Sequence, residues 1–370
     1  MGQIIFGLAG FGLIATLLVI CLTGWSWALR RLIRGEPILR QEVGEPISWG
    51  LVDIVATIAI AFLLMAAFQG VALTATGAKF PIQEDALTAE QHAGMIFAFS
   101  SAEMLSLLVV SGLILLRGYG LQLFGRRGEK FFADLFLGIA AFGMLVVPTL
   151  ILQAILAYLR PYEHPLIDML IEDKSVPMAI AAVGAAVFAA PLFEEFFFRG
   201  LLQGWLQDIV DGRLSVANIL LGRVRWFASD AAVETSLSDA SEPSLEATNE
   251  VEISPAGAID ENNPYSPPAT VARPIAPTEY QSKPALNQRS VLQICGPILL
   301  SASCFSLMHL GQGLAPIPLF FLALGLGYLY QRTRRLTPCV VVHFLLNGQS
   351  MTLLLIQVFV LGEEAALIAK

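Results

Sequence analysis

Val176–Leu206 reads VPMAIAAVGAAVFAAPLFEEFFFRGLLQGWL, thirty-one residues whose only charges are Glu194, Glu195 and Arg199. A helix needs roughly 20 apolar residues to cross the hydrocarbon core of a bilayer. The run is therefore long enough to span, and it carries three ionisable groups inside it. Seven other stretches qualify or come close: Ile4–Trp25, Trp49–Thr74, Met95–Leu116, Phe132–Leu159, Val291–Leu310, Ala315–Tyr330 and Leu336–Leu361. The seventh in chain order, Ala315–Tyr330, is short and begins with Pro316 and Pro318, which a first helical turn tolerates. The expected fold is all-α, a polytopic membrane bundle of about eight transmembrane helices.

Composition agrees. Of the 370 residues, 56% are hydrophobic and 14% charged, with a mean hydropathy of +0.69. A soluble domain carries about 25% charged residues. The net charge is −8 and no basic stripe appears, so no nucleic-acid partner is expected. Cys21, Cys295, Cys304 and Cys339 all lie in apolar stretches without CxxC spacing and read as small buried hydrophobes. No Lys or Arg precedes Arg30, so the N-terminal run reads as a retained helix rather than a signal peptide.

Loop charge gives an orientation. The odd-numbered links carry Arg30, Arg31, Arg34 and Arg40, then Arg117, Arg126, Arg127 and Lys130, then Arg332, Arg334 and Arg335. The links after the second and fourth segments carry only Lys79, and Arg160 with Lys174. Both termini are thus expected outside the cytoplasm, and the long link after the fifth segment inside. Asp208–Phe227 alternates apolar and basic residues and can form an interfacial helix. From Ser229 to Tyr265 there are nine acidic residues and no Lys or Arg, a composition expected to stay disordered.

Ionisable groups at mid-bilayer cost on the order of 2.5–3.5 kcal/mol each on insertion scales and mark functional candidates. Three clusters stand out. In Pro191-Leu-Phe-Glu194-Glu195-Phe-Phe-Phe-Arg199-Gly200, Glu195 and Arg199 stand four apart and can pair. Glu194 lies about 100° round the helix, free for chemistry. Phe305-Ser-Leu-Met-His309 ends the sixth segment, and His343-Phe-Leu-Leu-Asn347 puts an imidazole and a carboxamide on one face of the eighth. The other histidines, His92 and His164, fall in links. One histidine in an apolar helix is ordinarily an interhelical hydrogen bonder. Two of them beside a Glu-Glu-Arg helix point to a shared site.

These residue types supply a carboxylate base for water, imidazoles to orient it, and donors for a tetrahedral oxyanion. They also supply a His₂Glu zinc set, with Glu194, His309 and His343 as candidate ligands, although no HExxH motif is present. No cofactor follows from the residues with certainty. Glu103, mid-way along the third segment, is a further buried charge, read as structural.

At these residues the chain resembles the CPBP family, the CAAX prenyl endopeptidases of the Ras-converting type and the related bacteriocin-immunity (Abi) membrane proteins. The family pattern EExxxR, FxxxH, HxxxN/D matches Glu194-Glu195-xxx-Arg199, Phe305-xxx-His309 and His343-xxx-Asn347. The resemblance implies an intramembrane endopeptidase whose cavity faces the cytoplasmic side. Its substrate would be a membrane-associated or lipidated, CAAX-type peptide or protein. It makes Glu194 the general base and lets His309 hold the water with it. His343 and Asn347 would stabilise the oxyanion, with Glu195 and Arg199 supporting. It leaves the choice between a glutamate protease and a metalloprotease open.

It also divides the chain into four N-terminal helices (1–170), a catalytic core (171–206 and 290–361) and an acidic, largely disordered cytoplasmic insert (207–289). The insert is longer than the family's usual link and lies near the expected mouth. Two other readings use the same residues: a non-catalytic immunity or scaffold protein, and a proton-coupled transporter, for which no inverted repeat is found. With these limits Glu194 sits mid-helix and His309 at a helix end. Sharing a site requires the sixth helix to pass Gly311, or the fifth to start later or tilt.

Overall fold

The computed structural model describes residues 2–42, 44–78, 87–117, 130–160, 165–172, 174–223 and 290–361. The disorder expected beyond residue 223, and His164, Lys79, Arg126 and Arg127, lie outside the described residues. Every regular element among those described is helical. The helices are α1 (Gly2–Ile33), α2 (Leu51–Ala75), α3 (Ala89–Leu116), α4 (Phe131–Leu159), α5 (Pro165–Glu172), α6 (Val176–Val210), α7 (Val216–Leu221), α8 (Val291–Leu307), α9 (Pro316–Thr333) and α10 (Thr337–Ile356).

The chain is a polytopic helical bundle. Six of the described helices are long and apolar enough to cross a membrane: α1, α2, α3, α4, α6 and α10. α8 is apolar but shorter, with 17 residues. α9 has 18 residues and ends on Gln331, Arg332 and Thr333. Phe62, Phe97, Phe136 and Ile180 remain 60–69% exposed. In water such a surface would drive aggregation, whereas lipid is its natural solvent.

Where helices meet, small residues let them approach, because lipid offers no hydrophobic drive for association and close packing must supply the attraction. α4 is the hub, lying against α1, α9 and α10. A Cβ on its Gly138 would come within 2.6 Å of Val341 on α10, and one on Gly143 would collide with Ile20 on α1. Trp25 of α1 also donates to the Met144 carbonyl at 2.9 Å. α2 packs on α3, and α3 on α6, while α8 fits between α6 and α9.

Polar links gather at one end of the bundle. Asp208, fully buried at the foot of α6, accepts from the Ile47 amide (2.8 Å) and pairs with Arg213 and Arg334. Arg335 joins Asp134 at the start of α4 to Glu42, which also holds Lys130 at 3.0 Å. Arg117 grips Asp53 with two bonds of 2.7 Å. The interfacial helix expected over Asp208–Phe227 is therefore corrected over its described part. α6 runs on to Val210 and buries Asp208 against Arg213 and Arg334, and only α7 follows.

α6 is not a regular α-helix. Gly184–Ala189 and Glu195–Gln203 are π-helical, with i→i+5 bonds. Pro191 gives the first π segment a cause. A proline ring clashes with the carbonyl four residues earlier and offers no N–H. The turn before Pro191 widens, and the Ala190 amide reaches back to the Ala185 carbonyl.

Gly138→Leu forces a side chain into the α4–α10 contact, where overpacking costs about 1–3 kcal/mol. We expect a lower melting temperature in detergent, checked by thermal scanning, whereas Gly70→Ala, with open space around it, does not lower it. Burial pushes the Glu42 carboxyl up, but hydrogen bonds and charge from Lys130 and Arg335 outweigh this and hold it below its ordinary value. A carboxyl depressed in the folded state stabilises above its unfolded pKa and stops doing so as pH falls through the folded one. The melting-temperature gap between wild type and Glu42→Gln should be constant above about pH 5 and close below about pH 4.

Candidate active site

Four of the six expected residues meet where α6 faces α10. The Glu195 carboxylate and the Arg199 guanidinium stand 3.1 Å apart, at 0% and 1% side-chain exposure. Glu195 Oε1 also lies 2.9 Å from Nδ1 of His343. The other ring nitrogen, Nε2, faces Glu194 Oε2 at 3.6 Å, and the Glu194 side chain is 21% exposed. His343 thus bridges both carboxylates, one sealed and one accessible. A carboxylate beside a guanidinium only accepts hydrogen bonds, so Nδ1 carries the hydrogen, and in the neutral ring Nε2 is an acceptor.

Phe305 is the piece that joins α8 to this pair. The Arg199 guanidinium stacks over its ring at 4.5 Å, and the rings of His343 and His309 stand 5.8 Å and 5.1 Å from it. The stacking satisfies a buried cation whose Nη1 and Nη2 lack aligned hydrogen-bond acceptors, despite the short distance to Glu195. In the sequence Phe305 is visible only as the first letter of FxxxH. Its spacing four before His309 carries the signal, since both side chains then share a helix face.

His309 lies in the turn after α8, its Nδ1 3.0 Å from the Phe305 carbonyl. It is reached from the Glu194–His343 pair through the Phe305 ring rather than by direct contact. Two of the three remedies for helix depth are not used: α8 stops at Leu307, short of Gly311, and α6 begins at Val176. Instead, α6 is underwound. Gln293 bonds the Val210 carbonyl and Ser301 bonds the Phe198 carbonyl, so twelve residues of α6 run beside eight of α8. Turns with i→i+5 spacing put more residues into each turn, which brings the end of α8 up to Arg199 and His343.

Asn347 has a use that its sequence did not reveal. Its amide donates to the Ala186 carbonyl at 2.8 Å. That carbonyl has lost both helical partners, because the Ala190 amide has gone to Ala185 and residue 191 is a proline. The carboxamide therefore clamps the π turn to α10.

Zinc is a poorer match. A metal site needs three or four protein donors. Among the described residues no three His, Cys, Asp or Glu side chains are arranged to hold a metal ion. Glu194 and His343 face each other, but His309 is not grouped with them. What the arrangement can do is acid–base chemistry: a guanidinium fixes a carboxylate, which fixes an imidazole, which faces a second, accessible carboxylate.

Glu103 completes the setting. It lies on α3, which packs against α6, and its Oε2 is sealed from solvent without a hydrogen-bond partner. The sequence signal was available, a lone carboxylate deep in an apolar helix, but nothing in the chain order linked it to the fifth segment.

Residues 282–349 match the family model described as type II CAAX prenyl endopeptidase Rce1-like. The match takes in Phe305, His309, His343 and Asn347. No curated protein and no solved structure matches the chain. The apolar helices identify an integral, multi-pass membrane protein, and its residues 282–349 are similar to an Rce1-like type II CAAX prenyl endopeptidase, a match consistent with the CPBP resemblance.

Proposed function

We propose that the protein hydrolyses a peptide bond in a membrane-associated substrate with Glu194 as general base. The observation that carries this reading is the His343 ring, held at 2.9 Å by Glu195 and facing Glu194 at 3.6 Å. The second distance is too long for a direct hydrogen bond, so the pair is free to act on a third group. A water beside it gives one hydrogen to Glu194 and the other to Nε2, which aims its oxygen lone pair at the scissile carbonyl. Glu194 takes a proton as the water oxygen bonds to the carbonyl carbon. The tetrahedral oxyanion then collapses, the C–N bond breaks, and Glu194 returns the proton to the leaving nitrogen.

The remaining roles follow from contacts. Arg199 pairs with Glu195, and Glu195 keeps the His343 ring oriented. Asn347 spends one amide hydrogen on Ala186 and has a second for the oxyanion. His309, with Nδ1 tied to a carbonyl, offers Nε2 to water or substrate. A lipidated, CAAX-type peptide is the substrate class that the matched family's description supports. The arginine-rich end of the bundle belongs on the cytoplasmic side by the loop-charge rule, with both termini opposite. Protease protection of terminal tags in sealed vesicles tests that orientation.

The test of the chemistry uses purified protein in lipid nanodiscs with prenylated CAAX peptides, and product masses as the readout. Glu194→Gln and His343→Gln should each lower kcat/KM by about 100-fold or more, with Glu194→Gln retaining the wild-type melting temperature. Equal turnover by wild type and Glu194→Gln, including no turnover by either, overturns the assignment and favours a non-catalytic membrane protein.

A further inference from the structure

Pro191 accounts for the first π segment of α6 but not for the second, Glu195–Gln203, which carries Glu195 and Arg199. A helix that returns from i→i+5 to i→i+4 bonding leaves at least one carbonyl without an amide of its own at the exit. Here the Gly204 amide reaches back five residues to the Arg199 carbonyl and is shared with that of Leu201. The Leu201 carbonyl takes a second bond from outside the helix, from the indole Nε1 of Trp49 at 3.0 Å. Within the same segment the Phe198 carbonyl takes the Ser301 hydroxyl at 2.9 Å. Both donors are buried, so water does not compete with them for the carbonyls. Asn347 treats the Ala186 carbonyl of the first segment in the same way.

Trp49 lies in the link between α1 and α2, 152 residues before Leu201 and outside the matched residues 282–349. Its place is fixed from both sides. The Ile47 amide donates to Asp208 at 2.8 Å and the Gly50 amide to Asp53 at 2.8 Å. The indole seats against Gly204, where a Cβ would come within 3.4 Å of its ring. The end of α6 beyond the wide turns is pinned: Gln203 donates to the Gly327 carbonyl at 2.8 Å, and Arg213 and Arg334 hold Asp208. If the wide turns closed to i→i+4 spacing, the angular change would fall on the other end, at Glu194 and Glu195. We propose that Trp49 and Ser301 are positioning residues, which hold the second π segment and so keep Glu195 on Nδ1 of His343 with Glu194 facing Nε2. The link between α1 and α2 thereby sets the geometry of a site on α6 and α10. The proposal rests on Glu194 being the base for its effect on turnover, and on these contacts alone for its effect on geometry.

The test uses the full chain in nanodiscs. Trp49→Phe keeps an aromatic ring and removes the N–H. Trp25→Phe is the control, since the Trp25 indole also donates to a carbonyl, that of Met144 on α4. With a prenylated CAAX peptide, Trp49→Phe should lower kcat by about tenfold or more and leave KM within about threefold, because misplaced reacting groups slow chemistry more than binding. Ser301→Ala should do the same. The two together should cost less than the product of their separate effects, because both hold one segment. The His343 Nδ1–H signal of ¹⁵N-histidine-labelled protein supplies a readout independent of turnover. It should move in Trp49→Phe and in Ser301→Ala, and stay in place in Trp25→Phe. A signal that coincides with wild type in either folded variant overturns the proposal, as does a kcat loss that Trp25→Phe reproduces. If Trp49→Phe does not fold, Ser301→Ala decides by the same signal. A signal that moves as expected while wild type and Glu194→Gln turn over equally would instead overturn the assignment of the base and leave the clamp standing.

Discussion

The pairing of Glu195 with Arg199 is what the rest of the site depends on. Two charges inside a membrane bundle carry a desolvation cost of several kcal/mol each, and only mutual attraction and further polar contacts offset it. The side chains are 0% and 1% exposed, so water does not share the burden. The compensation comes from other helices: the His343 ring from α10 on the carboxylate and the Phe305 ring from α8 on the guanidinium. The pair therefore draws three helices together. Removing either partner leaves a buried charge uncompensated, typically a loss of about 3–5 kcal/mol. Glu194 is released from this role and left facing the accessible side.

Much of this was legible in the chain. The apolar runs give the helices, and their limits agree to within a few residues for most of them, because a span's length is set by the bilayer rather than by its neighbours. The i,i+4 spacing of Glu195 and Arg199 gave their pairing. The shared environment of His343 was legible in kind but not in detail. No spacing rule says that a ring on the last helix will put Nδ1 on one carboxylate and Nε2 towards the next.

Other features were out of reach for stated physical reasons. The underwinding of α6 over Gly184–Ala189 follows from Pro191, yet proline more often kinks a helix than widens it, and the local sequence does not choose between these. Asn347 illustrates the consequence. Read alone, an amide four residues after a histidine is a candidate oxyanion donor, and its bond to Ala186 is meaningful only once that carbonyl is known to be orphaned. Asp208 was read as part of an amphipathic surface stretch, whereas its partners Arg213 and Arg334 bury it, one of them more than a hundred residues away in sequence. Glu103 was visible as a charge in lipid but had no partner in sequence to name.

The central claim is that His343 stands between two carboxylates with Nδ1 bonded to Glu195. The chain has four histidines, so selectively ¹⁵N-labelled histidine gives few enough signals to assign by substitution. In protein held in lipid bilayers, the signal lost on His343→Gln should report a hydrogen-bonded Nδ1–H and should move when Glu195 is changed to Gln. A His343 signal that reports hydrogen on Nε2 alone, or that is indifferent to Glu195→Gln, would contradict the account.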